Sequence, residues 1–159
     1  MIEKIILNEV KKNFYQINIK EGDNLTLLDV SLKDCLVPFG VEEYNNKYNV
    51  NFEADNQNEF ILLIRLIEKN ILTLLDLDDS YEVTSVFSKK KHHNILCKSY
   101  LKKNSNLIIS KYYDKGKECS IFDLVKMKKY SIELEISGIW IFKKKCGLYL
   151  NIKRINSFE

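Results

Sequence analysis

Proline occurs once in these 159 residues and glycine five times. So few chain-breakers leave no room for a Pro/Gly-rich linker, and no Gly-rich loop that could cradle phosphates is present. No GxSxG and no HExxH occurs, which removes the commonest signatures of a serine hydrolase or zinc protease. There are two histidines, His92 and His93, adjacent in Lys89-Lys90-Lys91-His92-His93. Positive neighbours disfavour the imidazolium there, so a solvated basic loop is the expected reading rather than a general base. The four cysteines, Cys35, Cys97, Cys119 and Cys146, form no close CxxC pair. Zinc needs clustered ligands, so buried free thiols in a reducing, intracellular compartment are expected, with no metal and no cofactor. No apolar run reaches the roughly 18 residues of a membrane helix. The most apolar stretch, Phe60 to Leu77, is broken by Arg65, Glu68, Lys69 and Asp76. The opening Met1-Ile2-Glu3-Lys4 lacks the features of a signal peptide.

What is present is an ordinary globular composition, 45% hydrophobic and 30% charged, enough for one domain with a real core. Lysine, asparagine and isoleucine abound, a bias typical of AT-rich coding, which weakens arguments from lysine number alone. The net charge of +3 hides an uneven distribution. Residues 1–88 carry 8 basic and 16 acidic side chains, whereas residues 89–159 carry 17 and 6. A general lysine bias would raise both parts, so the contrast reads as the footprint of a polyanion-binding surface. Interleaving of the two parts in space would cancel some of it.

Period-2 stretches rich in β-branched and aromatic residues dominate. Strands are expected over Ile5–Val10, Phe14–Lys20, Leu25–Leu32, Cys35–Phe39, Tyr48–Glu53, Tyr81–Phe87, Ile95–Leu101, Leu107–Tyr112, Ser120–Lys126, Tyr130–Phe142 and Leu148–Ile155. Turn chemistry such as Asn45-Asn46 and Asn104-Ser105-Asn106 separates several of them. From Asn58 to Leu75 the apolar positions cover more than one face, which predicts one mostly buried helix, ended by Asp76-Leu77-Asp78-Asp79-Ser80. No repeat or low-complexity segment divides the chain, so residues 1–159 read as a single, mainly β domain with one substantial helix, a barrel or a sandwich.

The C-terminal hairpin is the sharpest local signal. Ile132, Leu134 and Ile136 alternate with Ser131, Glu133, Glu135 and Ser137, so Glu133 and Glu135 are expected on the solvent side. At Gly138 the alternation stops and Ile139-Trp140-Ile141-Phe142 follows. A glycine there marks a bulge or bend, where the strand leaves one sheet for another. Lys143-Lys144-Lys145 must meet solvent or a polyanion, and Cys146-Gly147 is read as the turn.

Single-stranded nucleic acid is held by lysines that track phosphates and by aromatic faces on which bases stack. The basic half interleaves both. Tyr100 shares a strand face with Lys98 and Lys102. Tyr112 follows Lys111, and Tyr149 shares its face with Asn151 and Lys153. The candidate phosphate contacts are Lys89, Lys90, Lys91, Lys98, Lys102, Lys111, Lys143, Lys144, Lys145 and Lys153, with Tyr100, Tyr112 and Tyr149 as stacking platforms. Trp140, among apolar neighbours, reads as core. Asp76-x-Asp78-Asp79 with Glu133-x-Glu135 could imitate a metal-dependent nuclease site, but helix termination and an alternating strand account for both.

Two segments carry a family resemblance. Glu133-Leu-Glu-Ile-Ser-Gly-Ile-Trp-Ile-Phe, a basic turn and Cys146-Gly-Leu-Tyr-Leu-Asn-Ile-Lys resemble the closing strands of the OB-fold single-stranded DNA-binding proteins of nucleocytoplasmic large DNA viruses and their phage relatives. Leu36-Val-Pro-Phe-Gly-Val with Tyr44 and Lys47-Tyr48 is a looser second match. The resemblance implies an OB-type Greek-key barrel with additional strands. It also implies a non-catalytic protein that coats single-stranded DNA in viral-type replication, recombination or repair, and it adds a viral factory to the expected locations. The phage relatives carry an acidic C-terminal tail, which Asn156-Ser157-Phe158-Glu159 does not reproduce. RNA, self-association and replication proteins stay open as partners, and no membrane is expected. The other functional class compatible with the residues is a virion or assembly component whose basic face meets an acidic protein.

Overall fold

The computed structural model describes residues 5–22, 24–55, 58–89 and 94–157. The chain begins with β1 (Ile5–Lys11), β2 (Phe14–Glu21), β3 (Asn24–Val37), β4 (Val41–Tyr44) and β5 (Lys47–Asp55). Helix α1 (Glu59–Leu74) follows, then β6 (Glu82–Thr84), β7 (Phe87–Lys89), β8 (Asn94–Leu101), β9 (Lys103–Asn104) and β10 (Leu107–Ile108). The last elements are β11 (Lys111–Asp114), β12 (Lys117–Cys119), a 3-10 turn at Ile121–Asp123, β13 (Lys128–Phe142) and β14 (Lys145–Ser157).

Five strands close on themselves. β13 pairs with β3, β3 with β5, β5 with β8, β8 with β14, and β14 returns to β13. Numbered in chain order as one to five, their cyclic order is 1-2-3-5-4. Every pairing is antiparallel except that of β8 with β14, the third with the fifth. That is the Greek-key order of an OB-type barrel. β1, β2, β4, β6, β7, β11 and β12 extend the sheet around it, so the mainly β architecture with one helix is as the sequence predicts. The interior is filled by the apolar half of each alternation: Val50 and Phe52, Ile95 and Cys97, Ile132, Leu134 and Ile136, and Leu148, Leu150 and Ile152.

Helix α1 packs against β14 and β6 through Phe60, Ile61, Ile64, Ile67 and Ile71. Its N-cap is Asn58, whose side chain accepts from the Phe60 N–H at 2.8 Å. Its end is a Schellman motif: Asp76 lies at φ 55, and the Leu77 and Asp76 amides donate to Leu72 and Thr73. Glu68 is buried and accepts from the Ser85 hydroxyl and the Val86 N–H, both at 2.8 Å. That capture explains why the expected strand Tyr81–Phe87 is broken into β6 and β7.

The other departures have equally local causes. Leu25–Leu32 and Cys35–Phe39 fuse into one strand, β3, because a bulge opposite β13 absorbs Asp34 at φ 53. Leu107–Tyr112 is interrupted at Ser110, whose hydroxyl accepts from Lys102 N at 2.7 Å and donates to Ile152 O at 2.5 Å. Ser120–Lys126 is no strand: Ile121 and Leu124 are buried three residues apart, a helical spacing, and Ser120 caps the turn.

β13 carries the expected irregularity at Gly138, where it switches partners within one sheet rather than leaving it for another. It pairs with β3 up to Ile136↔Leu28 and with β2 from Gly138↔Gln16, with a register shift between. A side chain at Gly138 would meet Tyr15 O at 2.3 Å. The hairpin turn, however, lies at Lys143-Lys144, both at positive φ, and Cys146-Gly147 belongs to β14. A side chain at Gly147 would meet Thr84 O at 2.6 Å and the overlying Trp140 ring at 3.0 Å.

Candidate nucleic-acid interface

The outward halves of the same alternations build one concave surface. On β8, Lys98 and Tyr100 alternate with the buried Cys97, Ser99 and Leu101. On β14, Tyr149 lies between buried Leu148 and Leu150. Parallel pairing sets Tyr100 opposite Asn151, next to Tyr149 in the alternation. The two tyrosine rings therefore stack, with centroids 4.8 Å apart and planes 6° from parallel. Phe14, brought alongside by the β2–β13 pairing, sets its ring edge-on to Tyr149 at 6.1 Å.

These rings line a cleft of about 1120 Å³ across the outer face of β5, β8, β14 and the end of β13. Its walls are two hairpin turns, Lys11–Asn13 between β1 and β2 and Asn45-Asn46 between β4 and β5. Both asparagines of the second turn sit at positive φ, which fixes a tight two-residue hairpin. Six lysines line the cleft, Lys11, Lys12, Lys47, Lys98, Lys102 and Lys103, against one carboxylate, Glu135. Lys47 bridges the tyrosine pair, its ammonium 5.8 Å from each ring centroid. Lys98 lies 5.3 Å from Tyr100, Lys11 5.5 Å from Phe14, and Lys103 4.9 Å from Tyr48. Ammonium groups at these distances are held by the ring quadrupoles while remaining free to pair with an anion.

Beneath the rings runs a polar floor. Glu135 is buried and receives Lys102 at 2.9 Å. The Ser137 hydroxyl donates to Asn151 Oδ1 at 2.5 Å and approaches Glu135 at 3.3 Å. Burial, helped by neighbouring Tyr100, raises the Tyr149 hydroxyl pKa, while a hydrogen bond with Asn151 pulls the other way. The expectation that Glu135 faces solvent is corrected here: the cleft covers it, and Lys102 neutralises it.

Of the sequence-predicted residues, the structure brings Lys98, Tyr100, Lys102 and Tyr149 together in the cleft. Tyr112 is not a platform. It is only 4% exposed, packed edge-on against Tyr130 at 5.8 Å, and burial drives its hydroxyl pKa far up. Lys111 lies away from the cleft and pairs with Glu118 at 3.4 Å. Lys153 is exposed but tied to Asp29 at 2.8 Å. Lys143, Lys144 and Lys145 are exposed at the hairpin tip, beyond the cleft lining. Lys143 reaches the cleft rim over Phe142, whereas Lys144 turns away to Tyr81 and Ser80. Lys90, Lys91, His92 and His93 lie outside the described residues, as does the side chain of Lys89.

Trp140, read as core, is half-buried and lines the cleft. The sequence reading missed Phe14, Lys11, Lys12 and Lys47 as site residues because they fall in the net-acidic part of the chain. Lys11-Lys12-Asn13-Phe14 nonetheless carries the same mixture of basic and aromatic residues that singled out Tyr100. The acidic cluster at the end of α1 is structural: Asp78 accepts from the Ser80 amide and hydroxyl, which lowers its pKa. Among the described residues, no group of three or more His, Cys, Asp or Glu is placed to hold a metal.

No family model matches the chain, and no curated protein matches it in sequence. Among solved structures it is similar to gp2.5, a single-stranded DNA-binding protein encoded by bacteriophage T7. The similarity covers 83% of this chain and 86% of that one at a TM-score of 0.54, with 11% identity. At that identity what the two share is the fold, an OB-type barrel.

Proposed function

We propose that this protein is a non-catalytic single-stranded DNA-binding protein of replication, recombination or repair, and that the strand lies in the cleft. The observation that carries the reading is the stacked Tyr100–Tyr149 pair bridged by Lys47 in a cleft lined by six lysines and one neutralised carboxylate. Stacked aromatic faces with flanking ammonium groups are what bind bases and phosphates without reading sequence. The cleft also lies on the face of an OB barrel that takes oligonucleotides, across the second and third strands and the loop joining the first two, with the end of the fourth strand at its rim. The bacteriophage neighbour's own description agrees with this use of the fold. Membership among the proteins of large DNA viruses is part of the same proposal; the Gly138-Ile-Trp strand and the Gly147-Leu return that suggest it form the barrel's closing hairpin, where Trp140 lies over Gly147.

Anisotropy of a labelled oligonucleotide at two salt concentrations tests the proposal. Binding is expected at low salt, weakening steeply as counterions compete. Lys47→Ala should lower both the affinity and the salt slope, and Lys111→Ala should leave them close to wild type. Absence of binding at low salt would remove the proposal in favour of a protein-binding role.

A further inference from the structure

Beyond the cleft mouth, past Tyr48, two loops meet and leave four large apolar side chains in water. They are Phe39 (43% exposed), Phe122 (52%), Val125 (55%) and Met127 (67%). These loops are rigidly held. Met127 N–H donates to Val37 O at 2.8 Å, the Val125 N–H donates to the Tyr130 hydroxyl at 2.9 Å, and Gly40 packs by Leu124 O. Phe122 projects outward because its neighbours Ile121 and Leu124 are buried. Its ring sits edge-on to Tyr48, with centroids 5.2 Å apart, and Tyr48 lines the cleft under Lys103. The patch is therefore continuous with the cleft rather than a separate surface.

We infer that Phe122 is a stacking platform outside the cleft, on which the same single strand continues after passing Tyr48. The inference rests on the function proposed above. Three features favour nucleic acid as the occupant: the continuity with the cleft, the exposure of the Phe122 ring beside Tyr48, and Lys103 and Lys126 beside the path. An exposed aromatic on a fixed loop loses little freedom when a base stacks on it.

The test is affinity against strand length for oligonucleotides of about 4 to about 16 nucleotides, the range a single barrel covers. Light scattering is used to select lengths that hold one protein chain per strand. Wild type and Phe122→Ala should bind the shortest strands equally and diverge at greater length, reaching a loss of roughly tenfold. Phe122→Tyr should retain wild-type affinity at every length. Phe122→Leu, which keeps the apolar packing on Tyr48 but lacks a ring face, should behave as Phe122→Ala. An equal loss at every length would overturn the inference, since Phe122 would then act by seating Tyr48. No loss at any length would also overturn it, and so would a change seen only when two chains share a strand, which would assign the patch to a second copy. In each of these outcomes the wild-type protein still binds, whereas failure of the wild type to bind any strand would instead strike the functional reading.

Discussion

Tyr149 and Tyr112 show how far a single residue's role depends on strand alternation. Both are tyrosines among lysines in the sequence, yet one lies stacked in the cleft and the other is sealed against Tyr130. Tyr149 was legible because Leu148 and Leu150 flank it and mark the opposite face as core. Tyr112 was not, because Tyr113 beside it is equally apolar and alternation could not say which faced out. Tyr149→Ala should weaken oligonucleotide binding by about 1–3 kcal/mol, the usual worth of one stacked base. Tyr112→Phe should leave it unchanged, as fluorescence titration of the two variants can check. The lysines follow the same logic. Lys98 and Lys102 were visible beside Tyr100, while Lys47 was hidden by the acidic residues around it in the sequence. Charge summed over half a chain says little once strands from both halves alternate in one sheet.

At the scale of elements, the helix was readable almost to the residue, and the closing hairpin was readable apart from its turn, which lies at Lys143-Lys144 rather than Cys146-Gly147. Asn58 announces the helix start, and the switch of pattern at Gly138 announces a change of partner from β3 to β2, within one continuous sheet rather than between two. The broken strands were not readable, because side chains distant in sequence interrupt them: Glu68 for β6 and β7, and Ser110, held by β14, for β10 and β11. Gly138→Ala places a methyl group 2.3 Å from Tyr15 O. It should destabilise the protein by about 1–3 kcal/mol or more in chemical denaturation, through overpacking that the β2–β13 pairing cannot relieve. Glu68 gives a pH signature. Its pKa is raised, chiefly by burial, against the opposing hydrogen bonds from Ser85 and Val86. A carboxyl whose folded pKa exceeds its unfolded value favours the fold most when protonated. Its contribution therefore falls as pH rises from the ordinary glutamate range through the folded pKa. The stability advantage of wild type over Glu68→Gln should accordingly be larger near pH 4 than near pH 8, in paired thermal melts.

For the whole molecule, the barrel is the consequence of five alternating strands whose inner halves share one core and whose outer halves share one cleft. The mainly β character and the single helix followed from periodicity; the strand count did not, because side-chain captures and a bulge split and fused the expected strands. Nor did the order 1-2-3-5-4, since pairing of β8 with β14 is a long-range event that no local pattern records. The buried thiols fit the same picture: burial pushes Cys35 up to about 12 and raises Cys97 well above the ordinary thiol range, so neither is a ready nucleophile. The molecule also carries its own reporter, because its one tryptophan, Trp140, lines the cleft. Titrating the unlabelled protein with a single-stranded oligonucleotide while following tryptophan emission tests the central claim most directly. The account predicts a saturable change at low salt that is lost at high salt and weakened in Tyr149→Ala. Unaltered emission under conditions where anisotropy shows the strand bound would contradict it, because the strand would then lie elsewhere on the protein.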